Sequence, residues 1–91
     1  MKILKFSGEF CVACKVLTSQ LEGYKDYDID NLDMTTDTEK FQKYAVRKLP
    51  TLIAVDSNGT ELCRKIGSCT LSEFKDWVKQ TIQKNDKKLD V

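Results

Sequence analysis

The chain has 91 residues, enough for one domain with a modest core, and residues 1–91 are expected to form a single domain. Apolar residues make up 41% and charged residues 32%, an ordinary globular composition, and 15 Lys and Arg against 14 Asp and Glu leave a net charge of +1. That balance gives no electrostatic basis for nucleic acid or an anionic membrane surface as a partner, and no apolar run approaches the roughly 20 residues that span a bilayer.

In chain order, residues 2–6 read as a short apolar strand. Ser7 and Gly8 follow as a loop, and then Ala13, Val16, Leu17 and Leu21 recur at helical spacing. Gly23 stands where a helix C-cap glycine would stand. Tyr24 to Asp30 reads as a second strand with a polar end, Asp30-Asn31-Leu32-Asp33. Thr36 and Glu39 fit a capping box, opening a helix with Phe41, Tyr44 and Ala45 on one stripe, broken by Leu49-Pro50. Thr51 to Val55 is a continuous apolar run, as in a strand buried on both faces. Ser57-Asn58-Gly59 is a turn signal, so the strand from Glu61 to Ile66 should return antiparallel. Thr70 and Glu73 make a second capping box. It opens a last helix with Leu71, Phe74, Trp77, Val78, Thr81 and Ile82 at helical spacing, and the charged tail from Lys84 reads as frayed. The order β-α-β-α-β-β-α predicts an α/β fold: a mixed four-stranded sheet, its first two strands parallel, with helices on both faces.

Four cysteines, Cys11, Cys14, Cys63 and Cys69, and no histidine narrow the chemistry. The N-terminal apolar stretch is too short for a signal peptide and no small-residue cleavage site precedes Cys11, so the protein is expected to remain in the cytoplasm. In that reducing setting a close cysteine pair points to redox chemistry or to metal rather than to a structural staple. Cys11-Val12-Ala13-Cys14 lies between a strand-ending loop and a helix, which puts Cys11 at the helix N-terminus and Cys14 one turn inside. Unpaired N–H groups and the positive end of the helix dipole favour a thiolate at Cys11. A division of labour follows: Cys11 attacks a substrate disulfide, and the more buried Cys14 resolves the mixed disulfide. Lys15 adds a positive charge nearby, or is simply a solvated helix residue.

The competing metal reading would pair Cys11 and Cys14 with Cys63 and Cys69. That second spacing is wide for a zinc knuckle, so no metal ligand is assigned. Cys63 shares a strand phase with Glu61 and Lys65, and Cys69 precedes the last helix near Gly67. They read as a second redox pair or as two small apolar residues. Pro50, the only proline, is either a helix stop or a cis residue before a buried strand.

Three segments carry a family resemblance: Phe10-Cys11-Val12-Ala13-Cys14-Lys15, Tyr44-Ala45-Val46-Arg47-Lys48-Leu49-Pro50-Thr51-Leu52, and Asn58-Gly59 with Lys65-Ile66-Gly67. In order and spacing they are similar to thioredoxins, from residue 2 to about residue 82. The resemblance implies that Pro50 is cis and faces the cysteine pair, that Leu49 offers its backbone to an extended substrate, and that Phe10 and Gly67 border the same groove. It implies reduction of protein disulfides by a dithiol cycle needing no cofactor. A thioredoxin reductase or a glutathione system would be the electron donor, and the protein would be a monomer.

Several residues depart from the family pattern. Val-Ala stands between the cysteines instead of Gly-Pro, Phe10 replaces a tryptophan, and Ser19 stands where the first helix usually has a proline. Lys5 occupies the place of a buried acid. There it either favours the Cys14 thiolate and makes the protein more oxidising, or snorkels into solvent. The chain starts just before its first strand, like glutaredoxins and the glutaredoxin-like donors to ribonucleotide reductase, but lacks the Gly-Gly…Asp pattern that holds glutathione. Short thioredoxin-like proteins of phages and archaea combine these features. The alternatives to a protein-disulfide reductase are an electron donor to ribonucleotide reductase, or a binding subunit that uses the fold without turnover.

Overall fold

The computed structural model describes residues 1–85. The elements are β1 (Lys2–Ser7), α1 (Val12–Gln20), β2 (Ile29–Asp33), α2 (Thr38–Lys43), β3 (Thr51–Val55), β4 (Glu61–Ile66) and α3 (Leu71–Lys84). They form one four-stranded sheet in the order β2-β1-β3-β4. β1 and β2 pair parallel, while β3 pairs antiparallel with both β1 and β4.

Side-chain alternation along the two central strands divides the core. Ile3, Leu52 and Ala54 point to one face, where they pack with Leu17 and Leu21 of the first helical segment and Phe74, Trp77 and Val78 of α3. Leu4, Phe6, Ile53 and Val55 point to the other, against Leu32, Tyr44 and the partly buried Phe41. Phe6 meets Phe41 edge-on at 4.9 Å between centroids, and Tyr24 meets Phe74 at 4.8 Å, the geometry that the ring quadrupoles favour. Because β3 is covered on both faces, each of its five residues is buried, which explains its unbroken apolar run.

Two strand limits and one cap fall where the residue pattern puts them: Thr51–Val55, Glu61–Ile66, and the capping box at Thr70. There Thr70 Oγ1 accepts from Glu73 N at 3.1 Å and Glu73 Oε1 accepts from Thr70 N at 2.8 Å. In the β3–β4 turn, Asp56 Oδ1 accepts from the N–H groups of Asn58 and Thr60, and Gly59 takes φ +81°. The same turn is tied to α2, because Tyr44 Oη donates to Gly59 O at 2.6 Å.

Other boundaries differ. The second strand is Ile29–Asp33 rather than Tyr24–Asp30, so the segment read as a polar end is most of the strand. β2 is an edge strand with only one neighbour, so its polar residues reach water; Asp30 pairs with Lys2 at 3.3 Å, and Leu32 alone is buried. Tyr24 and Tyr27 precede the strand and still pack on the core. Gly23 lies past the α1 C-cap, Leu21, in the turn that follows, with φ +84°.

The capping box expected at Thr36 and Glu39 does not form. Asp37 is the α2 N-cap and makes no side-chain cap bond, because its carboxylate accepts from Asp33 N at 2.8 Å and from the Thr36 hydroxyl. Leu49-Pro50 does not end this helix either. Tyr44 is its C-cap and Ala45 takes φ +51°, with Val46 N donating to Phe41 O at 2.9 Å and Ala45 N to Gln42 O at 3.1 Å. This is a Schellman closure made with alanine at the left-handed position, where glycine carries no Cβ penalty. Ala45→Gly is therefore expected to raise stability by up to about 1 kcal/mol, read as a higher urea midpoint at unchanged m-value.

The tail expected to fray from Lys84 falls largely outside the described residues. Lys84 closes α3, and Asn85 caps it by donating Nδ2–H to Thr81 O at 2.9 Å.

Candidate active site

One end of the sheet assembles the site. The row Phe6–Thr51–Ile66 crosses β1, β3 and β4, so the residues just beyond it, Ser7-Gly8, Leu49-Pro50 and Gly67, emerge side by side. Gly67 N donates to Pro50 O at 2.8 Å, and Cys11 N donates to Gly8 O at 3.3 Å. The Leu49–Pro50 peptide bond is cis. Gly8 has no room for a side chain, since a Cβ there would sit 2.8 Å from Met34 Sδ and 3.1 Å from Leu49 Cδ1. That close approach brings the proline loop against the loop that leads into α1.

Cys11 is the N-cap of α1, with extended backbone angles, and its sulfur accepts from Cys14 N at 3.1 Å. Cys11 is partly exposed, whereas Cys14, on the buried stripe of α1 with Leu17, is 2% exposed. The two are joined by a disulfide, with Cα atoms 5.2 Å apart. The difference in exposure follows helix phase: the cap lies off the helix, and Cys14, three residues on, falls on its buried stripe.

Large apolar side chains surround this point without being covered. Phe10 is 91% exposed, Val12 75%, Ile66 55% and Met34 50%. Of these, only Phe10 was singled out from the sequence. Met34 is brought in by its backbone N–H, which donates to Ser7 O at 3.0 Å, and Ile66 by its place opposite Thr51. No periodic pattern marks either one; the sequence signal that was available is glycine at position 8, where a side chain would collide with Met34. Lys15 is exposed on α1, one residue past Cys14.

Lys5 does not snorkel into open solvent. It points to the α1 side of the sheet, the side to which Ile3 also points, and is 4% exposed. Its ammonium donates to Thr18 Oγ1 at 2.7 Å and to Asn31 Oδ1 at 3.2 Å. The Thr18 hydroxyl in turn donates to Cys14 O at 3.0 Å, so a hydrogen-bonded chain runs from Lys5 to the backbone of the second cysteine. Burial lowers the Lys5 pKa from 10.5, since water that would solvate the ammonium is displaced.

The sign of the resulting pH effect follows. The folded protein gives up this proton more readily than the unfolded chain, so Lys5 costs stability at neutral pH, and the cost fades as pH rises toward 10.5. Lys5→Met is expected to stabilise the oxidised protein at pH 7 by about 1–2 kcal/mol, with the advantage shrinking in alkaline urea titrations.

The remaining cysteines are free. Cys63 lies partly buried under α3, and Cys69 sits in the same apolar cluster, where burial pushes its thiol pKa up. A raised pKa is the opposite of an activated nucleophile. Among the described residues, no group of three or more Cys, Asp or Glu side chains converges on a metal-sized site.

Residues 2–82 match the family described as a thioredoxin-like domain. The chain belongs to the thioredoxin family. No curated protein matches it in sequence. Among solved structures, it resembles thioredoxin-2 of the malaria parasite, described as a component of that parasite's protein secretion machinery, at 24% identity and a TM-score of 0.74 over 86% of this chain and 80% of that one. Thioredoxin of Schistosoma mansoni superposes with a TM-score of 0.72 at 25% identity, over 88% of this chain and 77% of that one. Thioredoxin 1 of the thermophilic eubacterium Thermosipho africanus gives 0.72 at 22% identity, over 94% and 99%. The shared fold and the Cys11–Cys14 disulfide together support thiol–disulfide oxidoreductase chemistry. No helix among the described residues is long and apolar enough to cross a membrane.

Proposed function

We propose that the protein is a dithiol carrier that reduces disulfides in other proteins, with Cys11 as the attacking and Cys14 as the resolving thiol. The observation that carries this reading is the Cys11–Cys14 disulfide at the start of α1, with Cys11 partly exposed and Cys14 buried. In the reduced protein, the Cys14 N–H and the helix N-terminus favour negative charge on Cys11. Cys11 thiolate attacks one substrate sulfur, the substrate S–S bond breaks, and the released thiolate takes a proton. Cys14 then loses its proton and attacks Cys11. The protein disulfide forms, and the second substrate sulfur leaves as a thiol, so two electrons pass from the protein to the substrate.

The exposed Phe10, Val12, Ile66 and Met34 favour a macromolecular partner, because an uncovered apolar rim of this kind is gained back on docking. Leu49 offers the backbone edge along which an extended substrate segment lies, set by the buried cis Pro50 behind it, Gly67 keeps the opposite side low, and Lys15 adds positive charge beside the pair. A disulfide reductase or the glutathione pool would restore the dithiol. The single sheet shared by both core clusters favours one working domain over 1–91.

The test is turnover of a protein disulfide, such as insulin, with dithiothreitol as the terminal reductant. The wild type should accelerate reduction well above the dithiothreitol background. A rate equal to that background, with folding intact by circular dichroism, would favour a binding subunit without turnover.

A further inference from the structure

The segment from Lys40 to Val55 carries four basic residues and no acid, in a chain whose charges otherwise nearly cancel. α2 takes Lys40 and Lys43 to the end of the sheet away from Cys11, where they line a cleft with Met1 and Asp56. The chain then returns to the site, and Arg47 and Lys48 arrive directly before Leu49. Val46 and Leu49 pack on the core, and the two cations between them stand exposed. This turn is held at both ends: Val46 N donates to Phe41 O at 2.9 Å, and the buried Thr51 hydroxyl donates to Lys48 O at 2.6 Å. Like charges are thereby fixed side by side at the edge of the site.

The fold supplies them with no counter-charge. The ion pairs among the described residues are Lys2–Asp30 and Glu61–Arg64, and neither includes Arg47 or Lys48. Acids at this end of the sheet are engaged with their own turns. Asp33 Oδ1 accepts from Thr35 N, Asp37 Oδ2 from Asp33 N, and Glu73 Oε1 from Thr70 N, each at 2.8 Å. Glu9 is exposed on the loop before Cys11, one carboxylate against two cations. We propose that Arg47 and Lys48 select the substrate: the disulfide that Cys11 attacks lies in a segment whose cysteine is flanked by acidic residues. The inference rests on the dithiol cycle proposed above and adds which protein disulfides enter it. A segment lying along Leu49 brings its carboxylates to two cations whose backbone is already fixed, so little order is lost on docking. The exposed Phe10, Val12, Ile66 and Met34 offer apolar contact to any partner and do not discriminate by charge. Charge complementarity does, acting mainly on the rate of encounter and weakening with salt.

The test compares three peptides that differ only in the residues flanking one cysteine, which are Glu, Gln or Lys. Each peptide is held as a mixed disulfide with 2-mercaptoethanol. The reduced full chain turns this into its own Cys11–Cys14 disulfide, the free peptide thiol and free mercaptoethanol, and the peptide thiol is read by mass spectrometry after acid quenching. At low ionic strength the wild type should reduce the Glu peptide about tenfold faster than the Lys peptide, with the Gln peptide between them, and the spread should collapse at about 1 M salt. Arg47→Glu with Lys48→Glu should reverse the order. Lys40→Glu with Lys79→Glu, the same change in net charge at exposed residues of α2 and α3, should keep it. The wild-type ranking decides the inference even if the reversal variant fails to fold. Equal rates for the three peptides, or a faster Lys peptide, would overturn the selection and leave the dithiol cycle in place. A ranking unchanged in the folded reversal variant would overturn it as well. If the wild type reduces none of the peptides above the protein-free rate, the dithiol cycle fails and the inference falls with it.

Discussion

Cys11→Ser is expected to reduce disulfide turnover to the uncatalysed background, while Cys14→Ser should stall after one step. The asymmetry comes from burial. On the proposed cycle the substrate meets the partly exposed Cys11, so removing it removes the nucleophile, and the buried Cys14 acts only after the mixed disulfide exists. Incubated with an oxidised protein substrate, Cys14→Ser should therefore accumulate a covalent adduct through Cys11, seen as a mass increase that dithiothreitol reverses. Cys11→Ser should give none. Adduct in the second variant but not the first would invert the two roles. Neither change should unfold the protein, because Ser remains a good N-cap at position 11 and serine is close to cysteine in size at position 14.

The largest stability effect is expected at Phe74. Its ring is fully buried, stacks edge-on with Tyr24, lies 5.9 Å from Trp77, and joins α3 to the sheet face that also carries α1. Phe74→Ala should cost about 3–5 kcal/mol, from lost burial and the cavity left behind. That is a large share of the roughly 5–15 kcal/mol that holds a domain of this kind. Urea unfolding followed at Trp77 should show the loss directly. A cost below about 1 kcal/mol would mean that α3 packs far less tightly than the structure has it. The two predictions separate chemistry from folding: one removes turnover with stability nearly intact, and the other does the reverse while the folded fraction keeps its disulfide.

The parts of the fold that could be read from the sequence are those with a local cause. Thr51–Val55 announces itself because burial on both faces demands an unbroken apolar run, and Thr70 with Glu73 because the two caps satisfy each other. The site's centre was legible for the same reason: Cys11 and Cys14 stand at a strand–helix junction whose helix phase can be counted. What could not be read depends on competition between neighbours. β2 is displaced because an edge strand tolerates Asp30 and Asn31, so its polarity disguised it. The start of α2 moves because the Asp37 carboxylate is captured by Asp33 N and Thr36, and its end because Ala45 accepts a left-handed backbone that no local rule would assign to alanine.

The site's surroundings follow the same division. Phe10 lies next to Cys11 in the chain, whereas Met34 and Ile66 come to the same end of the sheet only through pairing across it. Lys5 shows the limit most clearly. Its strand phase says which face it points to, but whether a lysine leaves that face for solvent depends on what covers it. Here α1 and β2 do, with Thr18 and Asn31 receiving the ammonium.

The most direct test of the account is equilibration in graded glutathione buffers, with the free thiols trapped by alkylation and each modified cysteine located by mass spectrometry. The account predicts one two-electron transition confined to Cys11 and Cys14, Cys11 alkylating before Cys14 in the reduced protein, and Cys63 and Cys69 remaining thiols throughout. A protein in which Cys11 and Cys14 stay unpaired across the whole range, or in which Cys14 reacts first, would contradict it.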